Sequence, residues 1–301
     1  MILKPHKACD VDLSKLDRVM WVMPKIDGVR ALHFNGAFQS RTLKPFPNTH
    51  LMAFDWHLLA GLDGELVKGS PTSGFSCRDT TSGTSTINGP RAQDFTWHIF
   101  DYVDPKERSA PYAVRYEIAR SRVEMLRDVA DFGLSLVPYE TATSVEDVLR
   151  LHAQYVDQGY EGSILRDPQG LYKSGRATVS ESAFLRLKDF IEEEAEVLEV
   201  VEGEVNNNVA TINKLGYTER SSHKANKVGN GMMGSLRCRD LKTGQEIMVS
   251  AGRSTHDERK KFLEHPELIV RKIIKYRAMP YGKKDLPRFA TFQCIRATFD
   301  L

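Results

Sequence analysis

Two apolar runs frame the opening of the chain. Residues 19–23 (VMWVM) are unbroken by any polar side chain and predict a buried strand, and residues 30–34 (RALHF) predict the next one. Asp27-Gly28 lies between them, and that pair between two apolar runs predicts a hairpin turn. Apolar residues then recur at helical spacing over 49–62, 113–132 and 144–159. The last of these opens on Ser144 with Asp147 three residues on, a capping-box-like start. Residues 70–89 are rich in Ser, Thr and Gly and predict a polar surface loop. Beyond Lys188 the texture changes. An acidic-apolar stretch at 191–201 precedes β-like runs at 196–201, 234–239, 246–251, 269–276 and 288–297, with a short helical stretch at 256–265.

Five strands with one helix between the third and fourth is the pattern of an OB-fold barrel. The predicted organisation is therefore α+β. A first domain over 1–189 mixes antiparallel sheets with helices, and an OB-fold domain over 190–301 follows it. The barrel carries one oddity, a long polar insertion over 203–231 containing Asn206, Asn207, Asn208, Lys214, Tyr217, Arg220, His223, Lys224 and Lys227. Loops of that length inside a small domain are usually functional or disordered, and its cations suit phosphate contacts.

Composition narrows the classes. The chain has 301 residues, 41% hydrophobic and 27% charged, which fits one large or two ordinary globular domains. A formal net charge of +2 excludes a polycation, so any nucleic-acid contact must come from local patches. No apolar run approaches a membrane span, and the N-terminus lacks the long apolar region of a secretory signal. The expectation is a soluble intracellular protein of the cytoplasm, acting as a monomer and away from membranes. Cys9, Cys77, Cys238 and Cys294 are scattered, so neither a zinc ribbon nor a disulfide framework is indicated. No GxGxxG or P-loop occurs, so nucleotide binding would have to use another scaffold.

The chemistry gathers around Lys25, in the sequence KIDGVR (25–30). A lysine beside a tight turn can act as an amine nucleophile once cations or desolvation favour its neutral form. Downstream, in order, come SRT (40–42), LDGEL (62–66), WHIFDY (97–102), YEGSI (160–164) and LRLK (185–188). Arg186 and Lys188 alternate, so a strand would point both to one side, where two cations could hold phosphates. Glu65 and Glu161 each sit beside a glycine within an apolar run. A carboxylate there can accept hydroxyl hydrogen bonds or organise a divalent cation. Phe100 offers a flat ring for a base, and Arg30 and Arg41 offer forked donors for phosphates.

This ordered series resembles the covalent nucleotidyltransferases: ATP-dependent DNA ligases, RNA ligases and mRNA capping enzymes. Along nearly the whole chain the resemblance is to minimal two-domain ATP-dependent DNA ligases of the chlorella-virus type. It extends to SRTLKP (40–45), YKSGR (172–176), GYTERSSHK (216–224), MGS (233–235), and PRF (287–289) followed by Ile295-Arg296. It implies ATP and magnesium (or manganese) as cofactors and nicked duplex DNA as partner. It implies that Lys25 carries AMP through a P–N bond, with Arg186 and Lys188 beside it in catalysis. Arg30, Glu65, Phe100, Glu161, Arg186, Lys188 and Arg296 would bind the nucleotide, and Glu161 and Glu65 the metal. Arg41, Asp63, Arg176, Lys214, Arg220, Lys224 and Lys227 would face DNA, with 79–82 a further stretch of that face. Residues 203–231 would be a latch that folds on nicked DNA. Arg288 and Arg296 would belong to a C-terminal motif that meets ATP.

Two departures stand out. Arg186 replaces the usual lysine, and the C-terminal motif has only Asp300 before the chain stops at Leu301. RNA ligation and GTP-dependent capping are the alternatives within the superfamily, and a non-catalytic OB clamp is the alternative outside it.

Overall fold

The computed structural model describes residues 4–53, 57–103, 109–127, 133–279 and 286–296. By its internal contacts the chain divides into an N-terminal unit, Met1–Lys188 together with Lys214–Gly216, and a C-terminal unit that holds the rest.

The N-terminal unit holds two five-stranded sheets. The first contains β1 (Cys9–Asp10), β2 (Met20–Pro24), β8 (Glu140–Ala142), β9 (Ser163–Arg166) and β10 (Phe184–Leu187), in the order β1-β10-β9-β2-β8. The second contains β3 (Val29–Phe34), β4 (Ala37–Ser40), β5 (Leu62–Lys68), β6 (Phe95–Tyr102) and β7 (Gly133–Leu136), in the order β4-β3-β5-β6-β7. The predicted strands on either side of Lys25 therefore exist, but they do not pair with each other. β2 pairs with β8 and β9, whereas β3 pairs with β4 and β5. Asp27-Gly28 is a crossover between sheets rather than a hairpin. Its glycine is needed for close approach: a Cβ at Gly28 would lie 2.2 Å from the Leu66 carbonyl oxygen.

Helices cover these sheets. α3 (Tyr112–Leu126) buries Ala119, Val123 and Leu126 in the second sheet's core with Trp97, Ile99 and Leu66. α4 (Val145–Asp157) starts as predicted, with the Ser144 hydroxyl accepting from the Asp147 N–H. It packs Val148 and Leu151 with Met20, Val22 and Leu165 of the first sheet. Two predictions fail here. The helix expected over 49–62 shrinks to α1 (Thr49–Met52) and a 3-10 turn at His57–Leu59, because Leu62 is already committed to the β5 ladder. Residues 54–56 of that prediction, and 128–132 of the helix predicted over 113–132, lie outside the described residues.

The second failure is the predicted loop at 70–89, which contains a three-turn helix, α2 (Ser76–Ser85). Its buried face is made of Ser76, Thr80 and Thr84, so apolar spacing carries no trace of it. The hydroxyls replace hydrophobic contacts with specific bonds. Lys68 N–H donates to Thr80 Oγ1 at 2.8 Å, and Ser76 Oγ donates to the Asp27 carbonyl at 2.5 Å. This helix thus pins the crossover that follows Lys25.

The C-terminal unit is a closed five-stranded barrel in the order β11-β14-β15-β17-β16. Its strands are β11 (Ile191–Asn206), β14 (Lys227–Asp240), β15 (Glu246–Ser250), β16 (Ile273–Met279) and β17 (Arg288–Ile295). α5 (His256–Glu264) lies between the third and fourth barrel strands, as an OB fold requires, and opens on a capping box of Thr255 and Glu258. The core holds Val197, Leu236, Val249, Ile274 and Phe292. β11 and β14 run well past the barrel, pairing as far as Asn206↔Lys227. The insertion at 203–231 is consequently an arm rather than a shapeless loop. Beyond the paired ends it carries a small two-stranded sheet of β12 (Ala210–Ile212) and β13 (Thr218–Arg220).

Candidate active site

Lys25 follows directly on β2, and the ladder to β9 continues past the strand ends to hold it. Its N–H donates to the Gly162 carbonyl at 2.8 Å, and Glu161 N–H donates to the Lys25 carbonyl at 3.1 Å. Two residues 136 positions apart in sequence are thereby placed side by side. Gly162 makes this possible. It adopts φ +145, and a Cβ there would lie 2.4 Å from the Leu187 carbonyl oxygen.

The side chains complete the arrangement. One Glu161 oxygen pairs with Lys25 Nζ and the other with Lys188 Nζ. Burial pushes the Glu161 carboxyl up, but the two ammoniums outweigh it and hold it below the usual range. Lys188 is lowered by its own burial and then by Lys25. Arg186, expected beside Lys188, is engaged elsewhere: Nε and Nη2 reach the two Asp10 oxygens at 2.6 and 3.3 Å. β10 ends at Leu187, so Lys188 is not the strand partner of Arg186 that alternation suggested.

A cleft with a cavity volume of about 120 Å³ opens beside Lys25. Lys25, Arg30, Glu65 and Phe100 line it, as do Met23, Tyr112, Val137, Ile164, Arg166 and Phe184. Arg30 and Glu65 are register partners on β3 and β5, so their side chains share one face. Arg30 stands 5.5 Å from the centre of the Phe100 ring and is clamped from behind. Its Nε and Nη2 donate to Asp63 at 2.9 and 2.5 Å, and its Nη1 donates to the His6 carbonyl at 2.5 Å.

Asp63 is fully buried. Its expected contact with DNA is corrected accordingly: both oxygens serve Arg30, and no surface is left for a nucleic acid. Glu65 differs from every other carboxylate here. Among the described residues no donor bonds it, and burial pushes it up to about 7 against the pull of Lys25 and Arg30.

The sequence reading missed the floor of the cleft. Arg166 lies at the end of the stretch that begins with Glu161, flat between Tyr112 and Phe184, at 3.8 and 4.1 Å from their ring centres. It pairs with Asp101, which also takes Arg115 Nε at 2.9 Å. Tyr112 in turn donates to the Phe100 carbonyl at 2.7 Å, fixing the strand that presents that ring. The only sequence signal for this network is a carboxylate and an arginine set inside strand-like apolar runs.

The remaining expected residues are not in the lining of the cleft. Arg41 is exposed just after β4, and Arg176 is exposed beside the N-terminal segment, with Nη1 reaching the Ala8 carbonyl at 3.3 Å. Lys214 falls between β12 and β13. Arg220 donates to the Asn208 carbonyl, Lys224 is exposed, and Lys227 lies 3.8 Å from Glu204. In the C-terminal unit Arg296 pairs with Glu194 at 2.7 Å. Arg288 starts β17, and Asp300 and Leu301 lie outside the described residues.

Lys25, Arg30, Arg166, Glu65 and the rings of Phe100, Tyr112 and Phe184 thus line the cleft, and Glu161 and Lys188 adjoin Lys25. Fold and cleft together define a two-sheet α+β unit with a lysine-centred cleft, followed by a closed five-stranded barrel. The comparisons with known proteins narrow the class. The family described as DNA ligase OB-like domain matches residues 226–296. A DNA ligase of Enterobacteria phage T4 is 28% identical over 94 residues, 31% of this chain and 19% of the phage protein. The match thus spans about a fifth of that relative's length. The solved structure of a chlorella virus DNA ligase-adenylate is 25% identical, with a TM-score of 0.56, and the match covers 99% of each chain. A Lig E DNA ligase structure, at 21% identity, shares the fold with a TM-score of 0.72 over 98% of this chain and 100% of its own. These likenesses are to DNA ligases, and the family match lies in the C-terminal unit.

Among the described residues no helix is long and apolar enough to cross a membrane.

Proposed function

We propose that this chain seals 3′-hydroxyl/5′-phosphate nicks in duplex DNA, using ATP, through a lysyl-AMP intermediate on Lys25. The observation that carries the reading is the seat of Lys25 at the cleft mouth, with Nζ against Glu161 and with Arg30, Glu65 and Phe100 along the walls. In the first step Lys25 Nζ attacks the α-phosphorus of ATP, the bond to pyrophosphate breaks, and a P–N bond forms. The amine must shed a proton, and Glu161 is the base in contact with it. Lys188 and Arg30 border the space for the phosphates and balance their charge. In the second step an oxygen of the 5′-phosphate attacks the same phosphorus and Lys25 leaves, regaining its proton. In the third the 3′-hydroxyl attacks the DNA phosphate and AMP leaves. Phe100 provides the stacking surface for the base, and Glu65 the acceptor for ribose hydroxyls.

Magnesium fits this donor set in one way. Among the described residues no three His, Cys, Asp or Glu side chains gather to hold a metal by themselves. Magnesium, however, is commonly held by one or two carboxylates together with substrate phosphates. Glu65 lines the cleft with no hydrogen-bond donor among the described residues, and it would be the carboxylate to hold the ion together with substrate phosphates, with Glu161 beside Lys25 as the second. When bound, the ion neutralises charge on the reacting phosphates. Arg41, Arg176, Lys214, Arg220, Lys224 and Lys227 are proposed as the DNA-facing cations, and Arg296 as a contributor to the ATP step.

Incubation with α-labelled ATP and magnesium, followed by a denaturing gel, tests the chemistry. A labelled band is expected from the protein, and none from Lys25→Ala. A GTP-specific band would instead point to capping, and sealing of nicked RNA in preference to nicked DNA would point to RNA ligation. Absence of any covalent nucleotide after pyrophosphatase treatment would overturn the proposal.

A further inference from the structure

The root of the arm over 203–231 is tied by amides. Val209 is 81% exposed, Ile212 72% and Tyr217 50%, and the buried apolar side chain of the arm, Leu215, lies beyond that root, between β12 and β13. A lone two-stranded sheet such as β12–β13 is marginal in water without a hydrophobic face to bury. Yet Asn208, at the root of that sheet, is 7% exposed. Its Nδ2 lies 2.8 Å from Asn206 Oδ1, 3.0 Å from the Ser221 carbonyl and 2.8 Å from the His223 carbonyl. Its Oδ1 accepts from Asn226 Nδ2 at 3.2 Å, and its carbonyl accepts from Arg220. Asn206 adds a bond from Nδ2 to the same Ser221 carbonyl at 2.8 Å, and Asn207 N–H donates to the Asn226 carbonyl at 2.9 Å. One side chain therefore ties three separate stretches of the arm: 206–208, 221–223 and 226.

We propose that Asn208 is a positioning residue that orders the arm before DNA arrives. Such an arm meets a nick already shaped, and the cost of ordering it is not charged to binding. This departs from the fold-on-DNA behaviour that resemblance alone implies. It rests on the nick-sealing reading only where DNA affinity is concerned; the order of the arm is independent of it. A network of this kind is unforgiving, because a buried amide that loses its partners leaves several carbonyls unsatisfied. Asn208→Asp keeps the shape of the side chain but sets a carboxylate against the Ser221 and His223 carbonyls.

Hydrogen exchange of the full chain without DNA tests the order. Amides of β12, β13 and the paired ends of β11 and β14 should exchange slowly in the parent protein. They should lose protection in Asn208→Ala and Asn208→Asp, while amides of β15 and β16 in the barrel remain protected as the control for folding. Affinity for a nicked duplex, read by fluorescence anisotropy, should weaken about tenfold in both variants, a modest share of what coupled ordering costs. Unprotected arm amides in the parent protein, or unchanged protection in both variants, would overturn the inference. So would nick binding by both variants equal to that of the parent. Failure of Lys25 to take label from ATP would count against the ligase reading alone, since the exchange pattern decides the arm either way.

Discussion

Glu65 is the residue at which burial and function pull in opposite directions. Its carboxyl is pushed up to about 7 from an ordinary 4.5, chiefly by desolvation. A raised acid favours the folded state while it is protonated. The stabilisation is fully present below about pH 4.5 and is lost as pH rises through about 7. At pH 8 the ionised carboxylate then destabilises the fold by at most about 3 kcal/mol, less to the extent that water reaches it. Glu65→Gln should therefore melt higher than the parent at pH 8 and alike at pH 4.5, while binding nucleotide more weakly. Thermal melts across that window check the sign. Arg30 shows the opposite strategy. Asp63 and the His6 carbonyl occupy its donors from behind and aim it at the cleft. Neither device could be read from the local sequence, since Asp63-Gly64 looks like a turn pair and is in fact buried near the start of a strand.

At the level of elements, the site depends on how strand ends are joined. Lys25 and Glu161 face each other because β2 and β9 pair and their ladder runs one step beyond the strands. Gly162 is the hinge of that step. Gly162→Ala introduces strain at φ +145 and a contact with the Leu187 carbonyl. It should cost about 1–3 kcal/mol of stability. By displacing Glu161 it should also slow adenylyl transfer to Lys25 by about a hundredfold, the usual scale for an ångström of misplacement. Denaturant unfolding and single-turnover labelling measure the two effects separately. Helix α2 carries the complementary lesson. Periodicity of apolar residues marks helices that bury hydrophobic faces, and α2 buries hydroxyls, so the same pattern reads as a loop. The arm is a related case: β12 and β13 expose most of their side chains, so no hydrophobic period marks them in the sequence.

For the whole molecule, the small net charge means that the proposed DNA affinity would come from a limited set of placed cations. Nick binding should fall steeply with salt, and Lys224→Ala should reduce the slope of log affinity against log salt by about 1 if that side chain meets a phosphate. A titration of nicked duplex between low and moderate salt checks it. By itself the sequence determined the order of the motifs, the α+β class and the five-strand, one-helix barrel, because these are written in local runs and their succession. Tertiary structure alone decided which runs pair across 136 residues and separated the strands around Lys25 into two sheets. It also drew Arg186 to Asp10 and sank Asp63 beneath Arg30. The reason is physical: periodicity records whether a side chain is buried, whereas the identity of its partner is set by long-range packing that no local stretch contains.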